Sequence, residues 1–218
     1  MAGPTDTAFQ AWDRKWMTEE GRAGWTRPEQ DVIDIVPLLR LRSVNTVLDL
    51  GCGVGRHSLL LASEGFAVCS LDASAAGLEI ARSNARDAKL PIDFCCSKMT
   101  DLPYSADNFG YVLAWNVIYH GDPFIVERSL KEISRVLRRG GIFQGTMLSK
   151  RNVLYGNGRL IAKDTFIIDD DDEKSHSHYY CDYSELLELW AGFRVFCVSH
   201  KEHDKPGSYH WHFRAEKL

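Results

Sequence analysis

The segment from Thr46 to Gly55, Thr-Val-Leu-Asp-Leu-Gly-Cys-Gly-Val-Gly, constrains the fold more than any other stretch of the chain. It opens on an apolar pair, Val47-Leu48, of the kind a buried parallel strand carries. It ends in three glycines at alternate positions, Gly51, Gly53 and Gly55, and a helix-like stretch from Arg56 to Ser63 follows. Strand, glycine turn and helix together let a ligand approach the backbone at a helix N-terminus. The spacing is not the G-x-G-x-x-G of dinucleotide turns, because Arg56 stands where the last glycine is required. The pattern is D-x-G-x-G-x-G, with an acid, Asp49, on the strand just before the turn. A carboxylate there repels a pyrophosphate and suits a cationic amino group. A second acid, Asp72, ends the next strand-like run, Ala67 to Leu71. About 20 residues past the glycines, it is placed to accept from both hydroxyls of a ribose. Taken singly, these features describe a tight turn and a strand-terminal capping acid. Taken together, they point to an adenosyl-type cofactor.

Asp49, the three glycines and Asp72 in this order resemble motif I of the class I S-adenosylmethionine-dependent methyltransferases. The resemblance covers roughly residues 45–148 in good register, and the C-terminal hairpin more loosely. Asp101-Leu102-Pro103 with Asn108-Phe109 is similar to that family's segment before its fourth strand, and Arg135 to Gly141 to its approach to the fifth. The resemblance implies a doubly wound α/β sheet of seven strands, mostly parallel with an antiparallel last strand, and S-adenosylmethionine as cofactor. It places the cofactor against Trp16, Asp49, Gly51, Cys52, Gly53, Asp72, Ala73, Lys98, Met99 and Asn116. One position departs from the family. An acid often found there to meet the adenine amino group is Lys98 here, which leaves adenine to backbone groups at Met99 or to Asp101.

At 218 residues the chain is long enough for one domain with a real core. We expect a helical cap over 1–44, a cofactor-binding core over 45–148, an acceptor-side insert over 149–183, and a last helix and hairpin over 184–218. Hydrophobic residues at 44% and charged residues at 26% suit a soluble globular protein. A net charge of −4 gives no reason to expect nucleic acid or an anionic membrane as partner. No apolar run approaches a membrane span and no charged-then-apolar leader is present, so a cytoplasmic protein is expected. The six cysteines show neither a disulfide framework nor C-x-x-C, and buried free thiols are expected. Nothing in the sequence fixes the oligomeric state.

In chain order, Phe9, Trp12 and Trp16 give residues 5–20 one apolar helical stripe. It either packs on the domain or lies over the cofactor, as the Trp-x-x-x-Trp ahead of the first strand of thiopurine-type methyltransferases would suggest. Thr26-Arg27-Pro28-Glu29 reads as a capping box, followed by a helix with Val32, Ile35, Val36 and Leu39 buried and shortened by Pro37. Strands are expected at 47–50, 67–72, 92–96, 109–115 and 142–148, with helices from 56, 74 and 122 between them. Gly140-Gly141 should end the third of these helices. A helix at 184–191 and two strands too close for a crossover, 193–199 and 209–216, should complete an antiparallel pair.

Methyl transfer from a sulfonium asks a protein mainly to align nucleophile, methyl and sulfur. A base is needed only where the nucleophile carries a proton of high pKa. Acceptor sites in open parallel sheets lie beyond the strand C-termini. The candidates there are His120, after Asn116-Val117-Ile118-Tyr119, and His178 and Tyr180 in the insert, with His176, Tyr179, Arg151 and Arg159 as neighbours. Six of the eight histidines follow residue 175, four of them in two H-x-H pairs that a metal could use. No acid or cysteine pattern completes a metal site, so exposed strand histidines and no metal are expected. The expected function is methyl transfer to a small-molecule acceptor. The alternatives are a protein-directed methyltransferase, a non-catalytic S-adenosylmethionine-binding or regulatory protein, and, less favoured by the loop spacing, a nicotinamide dehydrogenase. The His-rich entry to the C-terminal hairpin closely resembles that of the broad family related to tellurite-resistance methyltransferases, a resemblance that implies a chalcogen or thiol acceptor.

Overall fold

Residues 5–169, 174–203 and 205–218 are described by a computed structural model. The N-terminal stripe forms two helices rather than one, α1 (Ala8–Trp16) and α2 (Glu19–Ala23). They part at Thr18, whose hydroxyl leaves the helix to accept from Gly21 N at 3.1 Å. Helix α3 (Gln30–Ile33) begins after Glu29 with no side-chain cap, so the capping box expected at Thr26 does not form. Helix α4 (Val36–Leu41) carries Pro37 in its first turn, where a missing N–H costs nothing. The expected shortening by Pro37 is thus a division into two short helices. Their buried face is Val32, Ile35, Val36 and Leu39, as the periodicity requires.

Parallel strands β1 (Thr46–Leu50), β2 (Ala67–Asp72), β3 (Ile92–Cys96), β4 (Phe109–Ala114) and β5 (Leu137–Ser149) come next. Helix α5 (Arg56–Ser63) connects the first pair, α6 (Ala75–Asp87) the second and α7 (Pro123–Val136) the last. Ser74 caps α6 by accepting from Gly77 N, and Asp122 caps α7 by accepting from Ile125 N. Helix α7 ends at Val136 and β5 begins at once, so Gly140-Gly141 do not end the helix. They lie inside β5, where its register on β4 jumps from Phe109↔Leu137 to Tyr111↔Ile142. Gly140, at φ +73°, supplies the left-handed residue such a bulge uses.

The insert holds β6 (Arg159–Ala162), β7 (Thr165–Ile167) and β8 (His178–Cys181). Strands β7 and β8 form an antiparallel pair, and β6 extends it. The acidic run at residues 170–173 lies outside the described residues. Strand β8 runs parallel to the end of β5, Leu148 opposite Tyr180. Lys150 pins the insert by pairing with Asp164 at 3.0 Å and Glu185 at 2.8 Å. Helix α8 (Tyr183–Leu189) follows with a full capping box between Asp182 and Glu185. Strand β10 (Tyr209–Lys217) then lies antiparallel between β5 and β9 (Phe193–Glu202). The main sheet therefore reads β3-β2-β1-β4-β5-β10-β9, the expected seven strands. Strands β6, β7 and β8 bring the total to ten.

Strand β4 is buried along its whole length, because helices cover both faces of the sheet at its centre. Leu48, Leu50, Val126, Leu130 and Ile133 build one core layer, and Ile35, Leu39, Val47 and Leu61 the other. All six cysteines are free thiols. Cys96 and Cys197 are exposed rather than buried, since each sits on an outer strand.

Candidate cofactor cleft and histidine clusters

The glycine turn leaves β1 at the C-terminal edge of the sheet, beside the end of β2. Gly51, Gly53 and Gly55 have φ of +70°, +54° and +88°. Three left-handed residues at alternate positions are what the D-x-G-x-G-x-G pattern supplies. Asp72 clasps this turn: its Oδ2 accepts from Gly53 N and its Oδ1 from Ser74 N, both at 2.8 Å. Each oxygen keeps lone-pair capacity for a ligand. Burial pushes the Asp72 carboxyl above its ordinary range, and these N–H donors oppose the shift.

Asp49 stands elsewhere than the sequence suggests. It is 1% exposed beneath the turn, and its Oδ2 accepts from Ser58 Oγ at 2.5 Å. Ser58 Oγ in turn accepts from Ser70 Oγ at 2.7 Å. Burial raises the Asp49 pKa to about 6 against the pull of the Ser58 hydroxyl. The carboxylate expected to meet a ligand's cation is spent on a serine relay behind the loop.

A cleft of about 910 Å³, mouth included, opens above the turn. Gly51, Cys52, Gly53, Asp72 and Ala73 form its floor, Lys98 and Met99 one side, and Asn116 the far end. Asp101 is exposed and does not line it. Lys98 is occupied, pairing with Asp6 at 2.7 Å. That ion pair ties the segment before α1 to the loop after β3.

Helix α1 forms the roof. Trp16 is 4% exposed and stacks on Trp12 at 5.1 Å, and Trp25 meets both edge-on. The roof is held by a residue with no signal in the sequence: Asp13 Oδ1 accepts from Ser74 Oγ at 2.7 Å and from Ala76 N at 2.9 Å. Asp13 therefore caps α6 from another helix, and these donors hold its carboxyl below the usual range. His57 and Trp115, also unforeseen, complete the wall. His57 Nε2 accepts from Glu29 N at 3.2 Å, and burial holds the ring neutral. Trp115 Nε1 is a buried donor without a partner among the described residues.

Asn116 sits at φ +58°, a left-handed position that Asn tolerates better than most residues. Thr146 Oγ1 accepts from its N–H and donates to its Oδ1, both at 2.9 Å, which leaves the amide nitrogen for the cleft. His120 lines the same end. Its Nε2 donates to Asn116 O at 2.9 Å, and its Nδ1 faces His176 Nε2 at 2.9 Å. Burial, reinforced by His176, keeps it neutral. Both ring nitrogens are engaged, so it presents no free base to the cleft.

His178 and Tyr180 are each 1% exposed and do not line the cleft. Tyr180 packs among Tyr155 and Phe166 in the core, and His178 stands behind His120. Their strand lies on β5, which turns them inward. The expected arginines are elsewhere too: Arg151 lies over Tyr209, and Arg159 pairs with Asp169 on the surface. His176, His178, His210 and His212 are buried, not exposed. His212 Nδ1 donates to Asp31 Oδ2 and its Nε2 faces His203 Nε2, both at 2.7 Å. His203 stacks on His210 at 3.7 Å. The two H-x-H pairs thus enter two separate clusters.

The donor set fits an adenosyl sulfonium. It offers a carboxylate with spare lone pairs, an open loop backbone, an unused indole N–H and a tryptophan roof of the kind that attracts cations.

A mostly parallel sheet closed by an antiparallel pair, with this cleft at the C-terminal edge of β1 and β2, defines the class I methyltransferase fold. Residues 47–141 match the family model described as methyltransferase domain. Over 96 residues it is 35% identical to the ubiquinone biosynthesis O-methyltransferase of Parvibaculum lavamentivorans, a match covering 44% of this chain and 37% of that protein. Among solved structures, the Burkholderia thailandensis 1,6-didemethyltoxoflavin-N1-methyltransferase, with 1,6-didemethyltoxoflavin and S-adenosylhomocysteine bound, superimposes with TM-score 0.73 at 20% identity. That superposition covers all of this chain and 92% of the other. The [4+2]-cyclase SpnF superimposes with TM-score 0.74 at 19% identity, covering 100% and 97%. At these identities the two structures share the fold alone. No helix among the described residues is long and apolar enough to cross a membrane.

Proposed function

We propose that the protein transfers a methyl group from S-adenosylmethionine to a small-molecule acceptor that enters beside Asn116, Val117 and His120. One observation carries the reading: Asp72 holds the glycine turn open through Gly53 N and Ser74 N under a tryptophan roof. The names of the O-methyltransferase relative and of the toxoflavin methyltransferase support a small acceptor. The bound cofactor supplies an already activated methyl group. The chain's residues then bind, align and exclude water. Asp72 and the loop backbone hold the ribose side. The α1 tryptophans shield the sulfonium end, and Asn116 orients whatever lies beyond it.

A second reading, a non-catalytic binding protein of the same fold, is favoured by His120, which has no free nitrogen for the cleft. Calorimetry and labelled-methyl turnover separate the two. S-adenosylhomocysteine should bind and NAD should not. Asp72→Ala should weaken binding about 10-fold or more, since bonds to a charged carboxylate contribute roughly 1.5–3 kcal/mol each. Unchanged affinity in Asp72→Ala would remove the clasp from the site. Binding without turnover on any phenol, thiol or amine acceptor would favour the second reading.

A further inference from the structure

His120, His176 and His178 bring one ring nitrogen each to within 4.8 Å of one another. The residues are 6%, 4% and 1% exposed. Their hydrogen bonds fix the tautomers. His120 Nε2 donates to the Asn116 carbonyl, so Nδ1 carries a lone pair, which accepts from His176 Nε2. His178 Nδ1 donates to the His176 carbonyl at 2.8 Å, so its Nε2 also carries a lone pair. His178 Nε2 and His176 Nδ1 are buried and without a partner. A core that only needed packing would not gather three imidazoles and leave two lone pairs unpaired.

We propose that His120, His176 and His178 form a three-imidazole site for a divalent ion of the zinc type, with its fourth position toward the cleft that His120 lines. Zinc binds imidazole nitrogen at about 2.0–2.1 Å, which sets tetrahedral ligand nitrogens about 3.4 Å apart. The His120–His176 contact, now 2.9 Å, needs only a small opening as the ion takes the place of the shared proton. That proton passes to His176 Nδ1. The widest separation closes by at most about 1.4 Å, within reach of ring rotations.

The supports such a site requires are present. The Asn116 and His176 carbonyls accept the far N–H of His120 and His178, fixing the ligating nitrogens. Tyr179 N donates to Tyr119 O at 2.9 Å and clamps β8 to the His120 turn. The ligand set selects the ion. Three neutral imidazoles with no carboxylate suit zinc, copper or nickel and not magnesium or calcium. The nearby positive charges of Lys174 and Arg14 oppose any cation held without strong nitrogen affinity.

An ion here deepens the methyltransferase reading and rests on it for its role. At the acceptor end it would hold an oxygen or sulfur as its anion, lowering the pKa of a phenol or thiol. That supplies by charge what His120 cannot supply as a base.

The test uses the full chain without an affinity tag, stripped with chelator and titrated with Co(II) alone. One ion per chain, with the intense visible absorption of a four-coordinate nitrogen-rich site, is expected. His176→Gln and His178→Gln should each weaken Co(II) about 10-fold or more, with circular dichroism unchanged. No stoichiometric Co(II) in the wild type, or equal binding in both variants, overturns the proposal. S-adenosylhomocysteine calorimetry on the same samples separates the two readings. Adenosyl binding without metal binding sinks the ion site alone, and metal binding without adenosyl binding sinks the methyltransferase reading alone.

Discussion

The indole of Trp16 rests directly on Gly53: a Cβ added to Gly53 would lie 3.1 Å from Trp16 Cζ2. Gly77 is covered by the same ring, with Cδ1 2.8 Å from where its Cβ would be. The roof helix therefore rests on the turn at Gly53 and on α6 at Gly77, and a methyl group at Gly53 is felt twice. Alanine at φ +54° costs about 1–2 kcal/mol in backbone strain, and it also presses Trp16 away. Gly53→Ala should weaken S-adenosylhomocysteine about 10-fold while the far-ultraviolet spectrum stays native. Adding Trp16→Ala relieves the pressure but not the strain. A double-mutant cycle by calorimetry should then show a coupling of roughly 0.5–3 kcal/mol. Strictly additive losses would mean that the ring and the turn act independently.

Asp13 makes the next prediction. Its carboxylate hydrogen-bonds α1 to the N-terminus of α6, through Ser74 Oγ and Ala76 N. Loss of a capping acid costs about 1 kcal/mol. The loss falls on the docking of the roof and not on the sheet. Asp13→Ala should accelerate release of S-adenosylhomocysteine in stopped-flow measurements and lower the melting temperature only slightly. A release rate equal to wild type would show that the roof is held by the tryptophans and the Lys98–Asp6 pair alone.

The sheet was legible because its signals are local. Val47-Leu48, Ser74, Asp122 and the spaced glycines each act through their own neighbours, and the strand order follows from the alternation. The sequence misleads where a residue's partner is far along the chain. Asp49 reads as a ligand group, but Ser58 and Ser70 fold over it. Asp13 carries no mark of the cap it provides 61 residues away. The H-x-H pairs read as surface strands because their spacing gives alternation but not depth. Burial of His178 follows from β8 docking on β5, and its meeting with His120 is set by the Tyr119–Tyr179 bond. The glycine-turn end of the cleft is built from consecutive motifs and the His120 end from tertiary contacts, and only the first can be read from one sequence.

Asp49 gives a pH prediction whose sign is unusual for a carboxyl. Its folded pKa, about 6, lies above the unfolded value near 3.8, so the folded state binds the proton more tightly. The resulting stabilisation is full below about pH 4 and lost as pH rises through 6. Above that, the buried charge costs up to about 3 kcal/mol. Asp49→Asn keeps an oxygen for Ser58 without the charge. In the ligand-free protein it should raise the urea midpoint at pH 7.5 and lose the advantage at pH 4.5. A lower midpoint at both pH values would show that the carboxylate is stabilised by the serine relay beyond its burial cost.

The chain Asp31–His212–His203 predicts the opposite slope. Burial lowers the His203 pKa to about 4, and His212, Arg56 and Lys201 push the same way while Asp31 opposes them. His210, stacked on His203, is lowered to about 2. Both rings are neutral in the fold and take up protons near pH 6.5 when unfolded. Their contribution is present above pH 6.5 and lost as pH falls toward 4, at up to about 1.4 kcal/mol per pH unit for each ring. His203→Gln removes one of the two titrating rings and preserves a donor for His212. Its urea midpoints should start lower at pH 7, because the 2.7 Å bond is imperfectly replaced. They should then fall less steeply than those of the wild type between pH 6 and 4.5. Parallel pH profiles for the two proteins would show that His203 does not titrate in this window. The acid sensitivity of the fold would then belong to the other buried rings.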